Sequence, residues 1–368
     1  MKIENLCVKY DKNIVIENFS LNLTLGEKII IYGPNGTGKT TLLKCILVID
    51  MMKFNTNDLV RSTIKKSRST LLICLLACAL MLPLQVFFSD LIPTPVGEAN
   101  YLYANIAIYT LSIVIPFGIA SLIFKSVGDY NAIKLYKRPF PKKPLLYIGG
   151  TIGVGYAINL IINTIFPHFV EYFGEGSEFV PTTAYGIFLF YVAQALLPAV
   201  LEEWAFRGII LKNLLPFGKS GAIVISSVLF GIMHVDPPRV IFATGIGLLL
   251  AICYEYTGSL WIPMLIHFIN NAFSVSIATF VDMSDTTTIS GGALVASLFI
   301  YSMIFVAIMA IIYYSKNGLS PKVITFINND EVGYKLTIKQ FFRSTLLNVG
   351  FVPLVIVYIY FLLRSINL

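Results

Sequence analysis

Several side chains in the second half of this sequence stand where lipid-compatible residues belong. The stretch LEEWAFRG, Leu201 to Gly208, follows the apolar run AYGIFLFYVAQALLPAV and carries two adjacent glutamates and an arginine. At helical spacing Glu203 and Arg207 share a face and can pair, whereas Glu202 lies about 100° away and has no local partner. Glu203 reads as structural and Glu202 as the free carboxylate. The chain has 3 histidines, and two of them fall in apolar runs with a second distinctive residue four positions away. In VLFGIMHVD the pair is Phe230 and His234; in LWIPMLIHFINNAF it is His267 and Asn271. The third, His168, lies in a loop. A charged side chain at the centre of a membrane helix costs roughly 2.5 to 3.5 kcal/mol, so three on one turn must face protein, water or the interface. A charge cluster that merely ends a span is one reading. The other is chemistry: carboxylates and imidazoles move protons, worth about 10² to 10⁴ in rate, and an asparagine donor in a dry site is worth about 10² to 10³. Glu202, His234 and His267 are also a two-histidine, one-carboxylate set that could hold zinc and leave a position open for water.

Helices must hold these groups, and composition says of what kind. With 56% hydrophobic and 13% charged residues over 368 positions, the chain is far more apolar than a soluble one. It reads as an all-α polytopic membrane protein. A span needs about 20 mostly apolar residues, and such runs lie near 69–88, 103–124, 145–166, 184–203, 220–234, 238–256, 258–280, 291–315 and 346–363, predicting eight or nine transmembrane helices. The run at 220–234 is the shortest. The residues IILKNLLPFGK at 209–219 mix leucines with spaced lysines and are expected to form a partly immersed connection that lowers the next helix.

The net charge of +7 belongs to topology rather than to nucleic acid. Lys53, Arg61, Lys65, Lys66 and Arg68 precede the first span, and Lys125, Lys134, Lys137, Arg138, Lys142 and Lys143 fill the second loop, which puts both on the cytoplasmic side. The intervening loops carry Asp90, Glu98, Glu171, Glu175 and Glu178 and no lysine or arginine. An N-terminus in the cytoplasm follows, and a bacterial cell membrane is the expected setting. The 5 cysteines are scattered with no metal-type spacing and predict neither disulfides nor a zinc site of their own.

The first fifty residues are of another kind. EKIIIYGPNGTGKTTLLKCI, 27–46, runs from a β-branched strand through a glycine loop into a helix and completes G-x-x-x-x-G-K-T. Gly33, Gly36 and Gly38 would let backbone N–H groups wrap a polyphosphate, Lys39 would reach its terminal phosphates, and Thr40, followed by Thr41, would hold Mg²⁺. With Tyr10 in the place of an adenine-stacking aromatic, this stretch resembles the start of the nucleotide-binding subunit of ABC transporters. The likeness stops near Cys45, with no signature motif and no acidic strand after it. Residues 1–50 therefore read as a short N-terminal α/β fragment, a truncated P-loop unit too small to bury a core, in which ATP-Mg is not expected. The remaining organisation is a basic cytoplasmic linker at 51–68, a membrane core at 69–315, and a cytoplasmic segment with a last helix at 316–368.

E-E-x-x-x-R at 202–207, F-x-x-x-H at 230–234 and H-x-x-x-N at 267–271 are, in order and spacing, the motifs of the CPBP intramembrane proteases, also called the CAAX protease and bacteriocin-processing, or Abi, family. The resemblance covers roughly 51–315. It implies an eight-helix membrane fold and peptide-bond cleavage near the cytoplasmic face of the bilayer. It further implies that Glu202, helped by His234, activates a water, that His267 and Asn271 donate to the oxyanion, and that Glu203, Arg207 and Phe230 support them. A metal-free route and a zinc route through Glu202, His234 and His267 use the same residues. The expected substrate is a membrane-bound or lipidated peptide or protein, in bacteriocin maturation or self-immunity, with ABC transporter or sensor-kinase neighbours. A non-catalytic immunity or regulatory protein on the same fold, and an ATP-binding transporter component, are the alternatives.

Overall fold

The computed structural model describes residues 2–10, 13–22, 31, 34, 36–53, 56–91, 97–126, 143–167, 179–280, 291–318 and 336–366. His168, Gly33 and most of the two basic and acidic loops that set the expected orientation lie outside them. The chain divides into two compact units, Met1–Ile64 and Lys65–Leu368.

In the first unit, β1 (Lys2–Tyr10) and β2 (Asn13–Asn22) form an antiparallel two-stranded sheet with Val8 opposite Ile16 and Tyr10 opposite Asn13. Helix α1 (Lys39–Lys53) follows the glycine loop. Gly38 has φ +79° and a Cβ there would stand 3.0 Å from the Val15 carbonyl oxygen, so both backbone conformation and space require glycine. The expected strand before the loop falls almost wholly outside the described residues. In the stretch expected as a linker, 51–68, α1 runs through Lys53 and α2 (Thr56–Leu91) begins three residues later.

Among the described residues, seven helices are long and apolar enough to cross a membrane: α2, α3 (Glu98–Ser126), α4 (Pro144–Ile165), α5 (Ala184–Phe217), α7 (Pro237–Thr257), α8 (Trp261–Phe280) and α9 (Gly291–Asn317). Helices α10 (Ile338–Leu346) and α11 (Phe351–Ile366) make an eighth only if counted together, because they are bent by 73° at their junction. The total is thus seven or eight, against the expected eight or nine. The run that falls short is 220–234: α6 (Lys219–Ile232) has 14 residues, too few for about 30 Å of hydrocarbon.

A second correction concerns α5. The span expected to stop at Glu203 continues to Phe217 as a 34-residue helix with two π-helical segments, Val192–Leu196 and Trp204–Leu211. No helix-breaking residue occurs at the charges; the break comes at Gly218, with φ 150°. Residues 209–217 therefore extend the span and are not a separate immersed connection, and Glu202, Glu203 and Arg207 lie within the helix, not at its end.

Two apolar clusters set these helices around α8. On one side Ile152 and Tyr156 of α4, Ile246, Leu250 and Cys253 of α7 and Ile262 and Ile266 of α8 pack together. On the other, Leu102 of α3 meets Leu189, Phe190 and Ala195 of α5 and Val275 of α8. The Glu98 carboxylate, at the start of α3, accepts from the backbone N–H groups of Thr182 and Thr183 at 3.2 Å each, which ties α3 to the N-cap of α5. Trp261, the first residue of α8, is 79% exposed, as an interface anchor requires.

Small residues bring α4 and α9 together. A Cβ at Gly153 would strike the Met303 carbonyl oxygen and approach the Ala307 Cβ to 2.9 Å. Gly153→Ala is expected to cost about 1 to 3 kcal/mol by overpacking. Gly118→Ala in α3, where nothing lies within 4 Å, should be neutral or stabilising. Melting temperatures of the two purified variants in one detergent compare the outcomes directly.

Candidate active site

The centre of the site is a buried carboxylate with two partners. Glu203 and Arg207 are 0% and 1% exposed, and Arg207 Nη1 donates to Glu203 Oε1 at 2.9 Å. This is the pairing that the spacing of four predicts. Arg207 Nη2 also donates to the Gly247 carbonyl of α7 at 3.0 Å, and its guanidinium stacks 4.5 Å from the Phe230 ring centroid. A Cβ at Gly247 would press to 3.2 Å on Phe230, so the missing side chain is what admits ring and guanidinium together. The π-helical turn that starts at Trp204 carries Arg207, a distortion that helices reserve mostly for functional positions.

His267 of α8 completes the arrangement. Its Nδ1 lies 2.9 Å from the same Glu203 Oε1. A carboxylate only accepts, so Nδ1 carries the proton, and Nε2 is the atom turned the other way. It faces Glu202 Oε2 at 3.8 Å, too far for a direct hydrogen bond. Glu202 is 13% exposed; its Oε1 accepts from the Tyr109 hydroxyl of α3, while its Oε2 is buried with no hydrogen-bond partner among the described residues. Glu203 is therefore more than a partner for Arg207, since it fixes the tautomer and the plane of His267. Tyr109 is absent from the sequence reading, although Asn105 and Tyr109 sit four apart in an apolar span, the same signal that singles out His267 and Asn271.

His234 lies two residues past the end of α6. Its backbone N–H donates to the Gly231 carbonyl at 2.9 Å, Val235 follows with φ 62°, and Asp236 is the N-cap residue of α7. A β-branched residue in the left-handed region is a strained choice, and such strain concentrates at functional sites. His234 Nδ1 bonds the Phe230 carbonyl oxygen at 3.1 Å, which leaves Nε2 free to face inward. Phe230, 2% exposed, packs edge-to-face against both imidazoles, at 5.2 Å from His234 and 5.9 Å from His267. It forms wall, as its spacing implies.

Both histidines, Phe230, Asn270 and Asn271 line a cavity of about 530 Å³ among α3, α5, α6, α7 and α8. Glu202 is not in its lining and meets it through His267. The lining is polar as well as apolar: Asn105, Gln194, Arg239 and Ser274 also face it. Asn270 Nδ2 donates to Asn271 Oδ1 at 3.3 Å, which turns the Asn271 amide so that its NH₂ is the free end.

Among the described residues no group of three His, Cys, Asp or Glu side chains could hold a metal. The Nδ1 bonds of His267 and His234, to Glu203 and to the Phe230 carbonyl, leave the Nε2 atom of each imidazole outside them. In the first unit Gly36, Gly38, Lys39, Thr40 and Thr41 form the loop and the first turn of α1. The Lys39 ammonium donates to the Pro34 carbonyl and lies 3.5 Å from Thr37 Oγ1, closing the loop on itself.

Residues 182–273, which contain this whole arrangement except Tyr109, match the family model described as Rce1-like, type II CAAX prenyl endopeptidase. Residues 16–75 match the ABC transporter model, past the expected limit near Cys45. The membrane-embedded CAAX protease MroQ of Staphylococcus aureus (strain USA300) is 27% identical over 149 residues, 36% of this chain and 60% of that protein. YdiL of Bacillus subtilis (strain 168) is 34% identical over 116 residues, 29% of this chain and 47% of that protein. The zinc import ATP-binding protein ZnuC of Jannaschia sp. (strain CCS1) is 51% identical over 45 residues, 12% of this chain and 18% of that protein. The chain spans less than two thirds of the length of each of these relatives. No solved structure matches it.

Proposed function

We propose that this integral membrane protein, which carries an Rce1-like CAAX protease domain at 182–273, is an intramembrane endopeptidase that hydrolyses membrane-bound or lipidated peptides or proteins. The observation that carries the reading is His267 set between two glutamates at the edge of a cavity. Glu203 holds Nδ1, and Nε2 and the unpartnered Glu202 Oε2 are 3.8 Å apart. That separation suits one water bonded to both. Glu202 takes its proton, the resulting hydroxide attacks the scissile carbonyl, and the oxyanion is met by the Asn271 NH₂. When the tetrahedral intermediate collapses, the C–N bond breaks and the leaving amine takes up the proton that Glu202 took from the water. The roles that the motifs imply are thus kept for Glu202 and Asn271. The geometry supports giving His267 the place beside the base that the motifs imply for His234, which makes no ion pair to Glu202 among the described residues.

The ABC transporter match in the same chain supports a setting beside an ABC transporter; a use in maturing or resisting small secreted peptides is the setting proposed with it. The basic residues before the first span support an N-terminus in the cytoplasm. The test compares newly created peptide N-termini in membranes of cells making the wild-type chain or Glu202→Gln at matched levels. Termini that appear only with the wild type are the expected result. Identical maps from two stably inserted proteins would sink the peptidase reading in favour of a binding protein on the same fold.

A further inference from the structure

We propose that Tyr109 is a positioning residue for the reaction, holding Glu202 so that only one carboxylate oxygen acts on water; the inference rests on the peptidase reading above. Tyr109 lies on α3, outside the 182–273 domain, and its hydroxyl donates to Glu202 Oε1 across 93 positions of sequence. The last torsion of a glutamate is broad. Left to itself, the Glu202 carboxylate could turn and close the 3.8 Å gap to His267 Nε2 as a direct ion pair. The tyrosine prevents this by engaging Oε1, so Oε2 remains the oxygen that faces the imidazole. A water then meets one acceptor on each side in a single geometry.

The bond is placed by anchors on either side of it. At the start of α3, Glu98 accepts from Thr182 and Thr183 at the head of α5. Two turns beyond Tyr109, Phe117 meets Phe206 of α5 with ring centroids 5.6 Å apart, both side chains buried. The register of α3 on α5 is therefore set independently of Tyr109, so removing its hydroxyl should leave the helices where they are. One turn before Tyr109, Asn105 lines the cavity, which puts the same face of α3 in reach of substrate.

The experiment uses the full chain in detergent and an internally quenched peptide spanning one of the bonds whose new termini require the wild type. Tyr109→Phe should lower kcat about 10- to 100-fold, the scale of a misplaced reacting group, with KM within twofold and an unchanged melting temperature. A second measurement separates positioning from packing. Glu202→Asp, whose shorter side chain withdraws from the tyrosine, should lose almost nothing more when Tyr109→Phe is added, because neighbours that act as one unit are not additive. Wild-type kcat in Tyr109→Phe alongside an inactive Glu202→Gln overturns the role of Tyr109 alone, as do losses that multiply in the double variant. Equal peptide maps from wild type and Glu202→Gln overturn the peptidase reading and this inference with it.

Discussion

Glu202→Gln is expected to slow cleavage by about 10² to 10⁴, the contribution of a positioned proton acceptor, while the protein inserts and melts as the wild type does. Glutamine has the shape of glutamate, and its amide oxygen can still accept from the Tyr109 hydroxyl. What it lacks is the ability to take a proton from water at the Oε2 position, which is buried, has no hydrogen-bond partner among the described residues and lies 3.8 Å from His267 Nε2. The neighbouring Glu203→Gln is the control with the opposite signature. Its carboxylate serves Arg207 and His267 at once, so its loss should lower the melting temperature as well as the rate. The time course of wild-type-dependent termini, read with the melting temperature of each purified variant, distinguishes a lost base from a lost fold.

Arg207→Met should destabilise the protein by about 3 to 5 kcal/mol, the usual cost of breaking a buried ion pair by removing one partner. The guanidinium is 1% exposed and holds Glu203, the Gly247 carbonyl and the Phe230 face together. Without it a carboxylate that is 0% exposed is left with His267 alone. Adding Glu203→Leu to Arg207→Met removes the stranded charge and should recover most of the stability, since apolar replacements of buried pairs are often tolerated. Cleavage should not recover, because His267 Nδ1 then has no acceptor and its ring is free to turn. Denaturation of the single and double variants in detergent, beside the peptide assay, reads both halves. Recovery of activity together with stability would remove Glu203 from the mechanism.

Much of the site was legible from local spacing. Glu203 and Arg207 pair because four residues make one turn of helix, and Glu202 is left off that face for the same reason. Phe230 with His234, and His267 with Asn271, obey the same periodicity, and the apolar runs around them identify a membrane protein before any fold is known. The misjudged end of α5 has a physical cause too. Charges normally mark the edge of a membrane span, and here they are inside it, each carboxylate covered by a partner from another helix. Tyr109 escaped notice because a tyrosine in an apolar span is ordinary until its hydroxyl is seen to meet a carboxylate.

Composition and local spacing were enough for the class of protein, most of its helices, the ion pair within one turn and the set of groups able to move protons, because each depends on neighbours within four residues. Packing was needed to show that His267, 64 positions from Glu203, is the imidazole beside Glu202, and that Tyr109, 93 positions from Glu202, bonds its carboxylate. It also decided that His234 stands beside a strained turn, next to Val235 at φ 62°. Helical periodicity says which way a side chain leaves its own helix; which helix it meets depends on packing among α3, α5 and α8, where small residues, aromatic rings and a shared carboxylate set distances that no local pattern encodes.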